Sequence, residues 1–203
     1  AGSDAVALFL DRAATQGVAE ALDDQALPLL AAVCRRLDGM PLAIELAAAR
    51  LRTLSLSDIS DRLDQRFRLL TGGSRGALPR QQTLRATVDW SYSLLERAER
   101  TVLRRLSVFI DGFDLAAAEG VAGFDDIDPF DVAELVASLV DKSLVVAEPY
   151  GASYRYRLLE TIRQFAAERM LDAGDGEAIA VADRHCDYFL SLVERAAPHT
   201  YLP

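Results

Sequence analysis

The sequence has 203 residues, of which 51% are hydrophobic and 26% charged, and its formal net charge at pH 7 is −9. This length and apolar content can fill a substantial core, which excludes a disordered chain as the default. The acidic charge repels a phosphate backbone unless basic residues cluster locally. Cys34 and Cys186 lie far apart with no histidine at zinc spacing, so neither a disulfide framework nor a metal site is expected.

The sequence contains no membrane or export signal. No window reaches the ~18 uninterrupted apolar residues of a membrane span. Asp4 and Asp11 interrupt the first apolar run, which is typical of an amphipathic helix and not of a signal peptide. We therefore expect a cytoplasmic protein without membrane contact. The chain starts and stops in helix-like sequence, which we interpret as a piece of a longer protein.

Four helices are predicted within residues 1–70. The first two cover AVALFLDRAA and LPLLAAVCRRL, and the fourth covers SDISDRLDQRF. Between them one helix ends at Gly39 and the next begins at Pro41. Proline is tolerated there because an N–H group in the first helical turn has no carbonyl acceptor within the helix, so its absence loses no hydrogen bond. The third helix, LAIELAAARLR, is rich in small residues that permit close helix packing.

Residues 71–80, TGGSRGALPR, are predicted to be a linker because they concentrate Gly, Ser and Pro without an apolar period. The surrounding stretch from Asp61 to Arg85 has six arginines and two aspartates, a net charge of +4. It is either a solvated connector or an anion site. Arg80 follows Pro79 at a predicted helix start, where backbone N–H groups favour negative charge.

Residues 81–172 show the order of elements of a winged helix. Strongly apolar helices are predicted over QQTLRATVDWSYSLL, ERAERTVLRRLSVF and DPFDVAELVASLVDKSL, with a short helix before the last. Two β-rich runs follow, separated by Tyr150, Gly151 and Ala152, which predicts a hairpin. Another helix, LLETIRQFAAERM, comes next, and residues 173–203 are predicted to begin a further helical region.

No catalytic or metal-binding residue is predicted. A GxxxxGK[ST] phosphate loop is missing, so this chain cannot hold a triphosphate unaided. His185 and His199 are expected to be solvated surface residues, because nothing beside them in the sequence supplies a catalytic pair. We therefore expect that the chain is not an enzyme.

Charge argues against DNA binding by the predicted recognition helix. Residues 128–142 carry four acidic side chains and one lysine, a net charge of −3, and no Arg, Asn or Gln. We therefore predict a winged helix used as a packing module, with no direct DNA contact. A directly DNA-binding winged-helix regulator is the alternative.

The runs GMPLAIELAAARL, LPRQQTLRATVDWSYSLL and RRLSVFIDGFDLAAAEGV resemble the C-terminal part of the NB-ARC module of STAND-type signalling ATPases. In particular, they resemble bacterial multidomain transcriptional regulators of the LuxR and SARP kind. It implies a mainly α fold, with a helical lid bundle (1–70), the linker (71–80), a winged-helix domain with a short β-hairpin (81–172) and the start of a C-terminal helical sensor region (173–203).

In that family the proline of the turn lies against adenine, so the resemblance places Pro41 against the base, with Gly39, Met40 and Leu42 around it. Arg80 is the candidate for the phosphates. The implied cofactor is ADP or ATP with Mg in the full-length parent, which would be a slow ATPase. We expect neither nucleotide to bind tightly to this chain alone.

The implied function is a nucleotide-dependent switch that couples an upstream nucleotide-binding domain to a downstream helical sensor domain of the same chain. The resemblance also allows oligomerisation on activation. The family's Met-His-Asp motif aligns with Leu158, Leu159 and Glu160, so leucine stands where the sensor histidine would be. Arg157, Arg163 or Arg80 are the candidate replacements. Besides DNA binding, a protein-interaction scaffold that never meets nucleotide is a further alternative.

Overall fold

The computed structural model describes residues 2–15, 17, 26–37, 39–70 and 79–200, and it is mainly helical. The predicted fold class is confirmed, including the hairpin. In chain order the helices and strands are α1 (Gly2–Thr15), α2 (Leu27–Arg36), α3 (Pro41–Ala48), α4 (Leu56–Leu70), α5 (Pro79–Ser93), α6 (Arg97–Leu106), α7 (Leu115–Ala122), α8 (Val132–Asp141), β1 (Val146–Tyr150), β2 (Ser153–Arg157), α9 (Glu160–Ala173) and α10 (Asp175–Thr200).

The first compact unit, Ala1–Leu95, contains α1 to α5. Helix α3 is its centre and contacts both α1 and α5. Five of the eight residues of α3 are buried, and three of those five are alanines. Because small side chains let neighbouring helix axes approach, α3 can be enclosed on several sides. Ile44 of α3 is completely buried, as are Phe9, Leu30 and Ile59 around the helix, so the core of this unit is mainly apolar.

The second compact unit, Glu96–Pro203, contains α6 to α10 and the hairpin. Helix α6 contacts α7, α8 and α9, while α10 packs against α7 and α9. The amphipathic pattern of α6 buries Val102, Leu103 and Leu106. A reciprocal capping box between Glu96 and Glu99 satisfies free N–H groups at its start.

The hairpin is tied to the loop before α7. Strands β1 and β2 pair in antiparallel register, and Gly151 provides the positive φ (60°) of the turn. Phe113 and Tyr156 exchange two backbone N–H···O hydrogen bonds of 2.8 Å each, and their rings stack 5.9 Å apart. Phe113 therefore forms an isolated antiparallel β-bridge with Tyr156 of β2.

The structure groups two segments differently from the sequence-based domain boundaries. Helix α5 was assigned to the winged-helix part (81–172), but it contacts α3 and α4 in the first unit. Its buried Trp90 joins the apolar cluster around α3. Helix α10, assigned to a separate region (173–203), packs within the second unit. Residues 71–78 of the predicted linker lie outside the described residues.

Candidate functional site

The Gly39 to Pro41 turn is an ordered helix stop followed by an immediate restart. The N–H of Gly39 donates to the carbonyl oxygen of Cys34 (3.1 Å), and that of Met40 donates to Leu37 (3.0 Å). Gly39 has φ +64°, a conformation that a residue with a Cβ adopts only under strain. Met40 is extended (ψ 123°), and Pro41 lies in the first turn of α3. This geometry is what the sequence predicted for the turn.

The turn presents its backbone to the outside. Gly39 and Pro41 are exposed, and Met40 and Leu42 are half-buried. A Cβ built on Gly39 would meet no described atom within 4 Å. Glycine is therefore required here by its φ and not by a close neighbour within the described residues. Behind the turn Ile44 is completely buried, which anchors the exposed part to the core.

The structure does not test the role of Arg80. Its backbone lies in the first turn of α5, but its side chain is outside the described residues. No group of three or more potential metal ligands (His, Cys, Asp, Glu) is found among the side chains that are described. None of the described helices combines the length and apolarity that a membrane span requires.

The residues that follow the hairpin are buried or hydrogen-bonded within the second unit. Leu158 is buried, and Leu159 precedes the first turn of α9 as its N-cap. Hydrogen bonds from Arg163 (2.7 Å), and then from Gln164, lower the pKa of Glu160 to about 2. Arg157, the other described candidate for a phosphate contact, pairs with Glu148 at 2.9 Å.

The face of α8 and its preceding turn is acidic. Asp131, Glu134 and Asp141 are exposed there. The one lysine, Lys142, is bound to the carboxylate of Glu99, which also accepts a hydrogen bond from Ser138 (2.6 Å). Burial alone would raise the pKa of Glu99, but the hydrogen bonds from Lys142 and Ser138 outweigh it and lower the pKa. A groove of about 480 Å³ beside α8 has five acidic residues in its lining, namely Glu96, Glu99, Asp126, Asp131 and Glu134.

The hairpin brings two arginines and two exposed aromatic rings together. Arg155 and Arg157 lie on β2, and the tip carries Tyr150 and Tyr154, which are 70% and 56% exposed. Arg155 donates to the carbonyl oxygen of Gly112 at 3.1 Å. The other charge on the strands is Glu148, so the hairpin has a local charge of +1.

Residues 95–171 match the family described as the winged helix-turn-helix domain. This match covers α6 to α9 and the hairpin. Residues 95–171 form a winged-helix domain. It begins near the start of α6, so α5 precedes it.

Two kinds of relatives are similar over most of the chain. Proteins provisionally named HTH-type transcriptional regulators, in Mycobacterium tuberculosis and Mycobacterium bovis, are 50% identical over 189 residues, 93% of this chain and 21% of each relative. An uncharacterised Mycobacterium tuberculosis protein is 44% identical over 178 residues, 87% of this chain and 45% of that protein. The chain thus spans about a fifth of the length of the first relatives.

Sequence reasoning missed the buried ion pairs of the winged-helix unit. Arg105 is 4% exposed, pairs with Glu177 (3.0 Å) and Asp126 (3.2 Å), and donates to the carbonyl oxygens of Ala122 and Phe124. Arg105 lies three residues after Val102, on the apolar face of α6, and this spacing was the sequence feature that could have predicted its burial.

His185 is half-buried and packs against aromatic rings, so it is less solvated than the sequence led us to expect. Its ring lies 5.1 Å from that of Phe109 and 4.8 Å from that of Phe189. The side chain of His199 lies outside the described residues.

Proposed function

We propose that this chain is the winged-helix part of a transcriptional regulator. The observation that carries the proposal is the winged helix-turn-helix match over 95–171, in a chain half identical to proteins named as HTH-type regulators. Because the chain spans only a fifth of those relatives, its role is one contribution to a larger protein. Such a role also supports the cytoplasmic localisation expected from the sequence.

The winged helix-turn-helix match favours direct DNA contact, which we did not expect from the charges. The acidic face of α8 is unsuited to a phosphate-lined groove. The hairpin is better suited, because Arg155 is exposed on β2 and Tyr150 offers an exposed ring. Arg157 can add a second phosphate contact if it exchanges its pairing with Glu148 for the phosphate. We therefore assign the DNA contact to the hairpin, with α8 turned away from the duplex.

Fluorescence anisotropy of labelled duplex DNA, titrated with the chain at several salt concentrations, tests this contact. Two phosphate contacts predict that log K falls with log salt with a slope of about −2. Arg155→Ala or Arg157→Ala should halve that slope. Arg97→Ala is the matched control, because it removes one positive charge from a side chain that is 90% exposed at the start of α6. Unchanged anisotropy at low salt would show that the domain acts by packing and not on DNA.

A second candidate function, nucleotide-dependent switching, is favoured by the Gly39 to Pro41 turn. Its exposed proline ring and half-buried Met40 and Leu42 form an apolar edge that fits the face of a purine. This edge carries no charge, so an upstream phosphate loop and Mg would have to hold the phosphates. In this proposal ADP clamps the helical lid and winged helix to the upstream domain, and ATP favours an open state read by a downstream sensor.

Calorimetric titration of ADP into the full-length parent tests the nucleotide contact. Pro41→Ala should weaken ADP binding about tenfold, equivalent to 1.4 kcal/mol of lost apolar contact. Pro28→Ala is the matched control, because Pro28 is an exposed proline in the first turn of α2. Equal affinities of the parent and the Pro41 variant would remove the role assigned to the turn.

A further inference from the structure

Helix α10 has one face that packs within its unit and a second apolar face that does not. On the packed face Val181 is completely buried, and the ring of Tyr188 lies so close to Gly120 that a Cβ there would be 2.9 Å from it. These contacts fix the rotation of α10 against α7. The second face is therefore held outward.

The outward face carries a stripe of five residues, namely Ile179, Ala182, Cys186, Leu190 and Val193. Ile179, Leu190 and Val193 are 61%, 54% and 63% exposed, and Ala182 and Cys186 are also exposed. At 100° per residue all five fall within an arc of about 80°. A stripe of this width and regularity is typical of a helix that packs against another helix.

The spacing of the stripe is symmetric about Cys186. Ile179 and Val193 lie seven residues to either side of it, and Ala182 and Leu190 lie four to either side. A two-fold axis beside Cys186 would therefore bring together Ile179 with Val193, Ala182 with Leu190, and Cys186 with itself. We propose that α10 pairs in antiparallel fashion with α10 of a second copy of this chain.

The distribution of side-chain sizes supports this occupant over an unrelated helix. The central position, Cys186, is small, so two helices can approach closely there and cross at an angle. Ile179 and Val193 lie seven residues from Cys186, where crossing helices diverge and larger side chains fill the gap. Leu190, four residues from Cys186, would face the small Ala182 of the second copy. An isologous interface requires a surface that is complementary to itself, and this stripe meets that requirement.

The acidic residues beside the stripe determine how the pair responds to salt. Asp183, Asp187 and Glu194 lie along one edge of it, and a two-fold axis places the two edges on the same side of the pair. Like charges then repel, and added salt screens the repulsion. The stripe is about 22 Å long, which is short for a stable dimer interface of about 1,600 Å². We expect micromolar association that strengthens with salt, whereas DNA binding by the hairpin weakens with salt.

Sedimentation velocity of the chain over a micromolar concentration series, at low and high salt, tests the pairing. Leu190→Asp should weaken dimerisation at least tenfold. Leu171→Asp is the matched control, because Leu171 is a similarly exposed leucine (62%) on α9, outside the stripe. A chain that stays monomeric at every concentration would overturn the proposal. So would dimerisation that Leu171→Asp weakens as much as Leu190→Asp does, and the stripe would then belong to a different partner.

Cysteine cross-linking locates the two-fold axis. With diamide as oxidant, the two Cys186 thiols should form an S–S bond while diamide takes up their two protons and two electrons. Cys34 should not react, because it is buried and burial raises its pKa to about 11. Cys186→Ser should abolish the cross-linked dimer on a non-reducing gel, and Cys34→Ser should leave it unchanged. A dimer that is seen by sedimentation but not cross-linked through Cys186 would overturn the antiparallel arrangement.

Discussion

The two compact units are stabilised by different kinds of contact. Residues 1–95 contain 11 basic and 11 acidic side chains and therefore have no net charge, whereas residues 96–203 contain 11 and 20, which gives −9. The first unit packs Phe9, Ile44 and Trp90 in an apolar core. The first unit also buries Arg50, which donates to the backbone carbonyl oxygen of Ser91 (2.9 Å). The second unit instead pairs its buried Arg105 with the half-buried carboxylate of Glu177. Such a pair removes one charge of each sign, so the acidic excess of the second unit is unchanged, and part of it lies on the exposed face of α8.

Removing Arg105 should give the largest effect and tests this contrast directly. Arg105→Ala leaves two carbonyl groups without their donor and Glu177 with Arg104 as its remaining partner, which should cost about 3 kcal/mol of unfolding free energy. Arg97→Ala removes an exposed arginine that pairs with the same Asp126, and should cost less than about 1 kcal/mol. Urea unfolding followed by circular dichroism measures both. Equal costs would contradict a stabilising role for the buried pair.

Truncating Ile44 should produce the complementary effect in the first unit. Ile44→Ala removes a completely buried side chain and should cost about 3 kcal/mol. Trp90 is the only tryptophan and lies in the same apolar cluster, so its fluorescence reports on this unit. Ile110→Ala, at a 74% exposed position, should change stability by less than about 0.5 kcal/mol. A Trp90 transition that moves equally in Arg105→Ala and Ile44→Ala would show that the two units unfold together.

Glycine substitutions in the second unit should separate backbone strain from crowding. Gly112 has φ +92°, and a Cβ there would lie 2.5 Å from the carbonyl oxygen of Tyr156. Gly112→Ala should therefore cost about 2–3 kcal/mol. Gly151→Ala, with φ +60° and open space around it, should cost only about 1 kcal/mol of backbone strain. Thermal unfolding compares the two, and a milder effect at Gly112 would contradict the tight contact between the loop and β2.

The smallest effect should be the acid sensitivity due to Glu160. Its pKa falls from 4.5 to about 2, chiefly because Arg163 donates hydrogen bonds to it. A lowered folded-state pKa adds stability above about pH 4.5, and this stability is lost as pH falls towards 2. Glu160→Gln should therefore flatten the dependence of the urea midpoint on pH in that window. The control is Glu194→Gln, an exposed carboxylate on α10, and an equally flat profile for it would contradict the assignment.

Local patterns predicted the elements of the fold well. The stop at Gly39, the restart at Pro41 and the hairpin turn at Gly151 each depend on residues within a few positions of one another, and the structure confirms their geometry. The place of α5 could not be predicted in this way. Its apolar residues are equally compatible with a helical bundle and with a winged helix. Only its contacts with α3 and α4 show that it belongs to the first unit.

The candidate sites were less predictable because they depend on distant partners. Arg157 and Arg163 were interchangeable phosphate candidates in the sequence, yet Glu148 and Glu160 pair with them. Arg105 and Glu177 are 72 residues apart along the chain, so spacing could not link them. The nucleotide contact of Pro41 and the anion role of Arg80 remain predictions.

Helix α7 contacts both β2 and α10, so one short element connects the hairpin with the helix that carries the outward stripe. A displacement of β2 or of α7 would act on the two backbone hydrogen bonds between Phe113 and Tyr156, which join β2 to the loop before α7. Deuterium uptake at these two amides should therefore slow when DNA engages the hairpin and also when two copies associate. Hydrogen exchange at these two amides would then report both DNA binding and self-association.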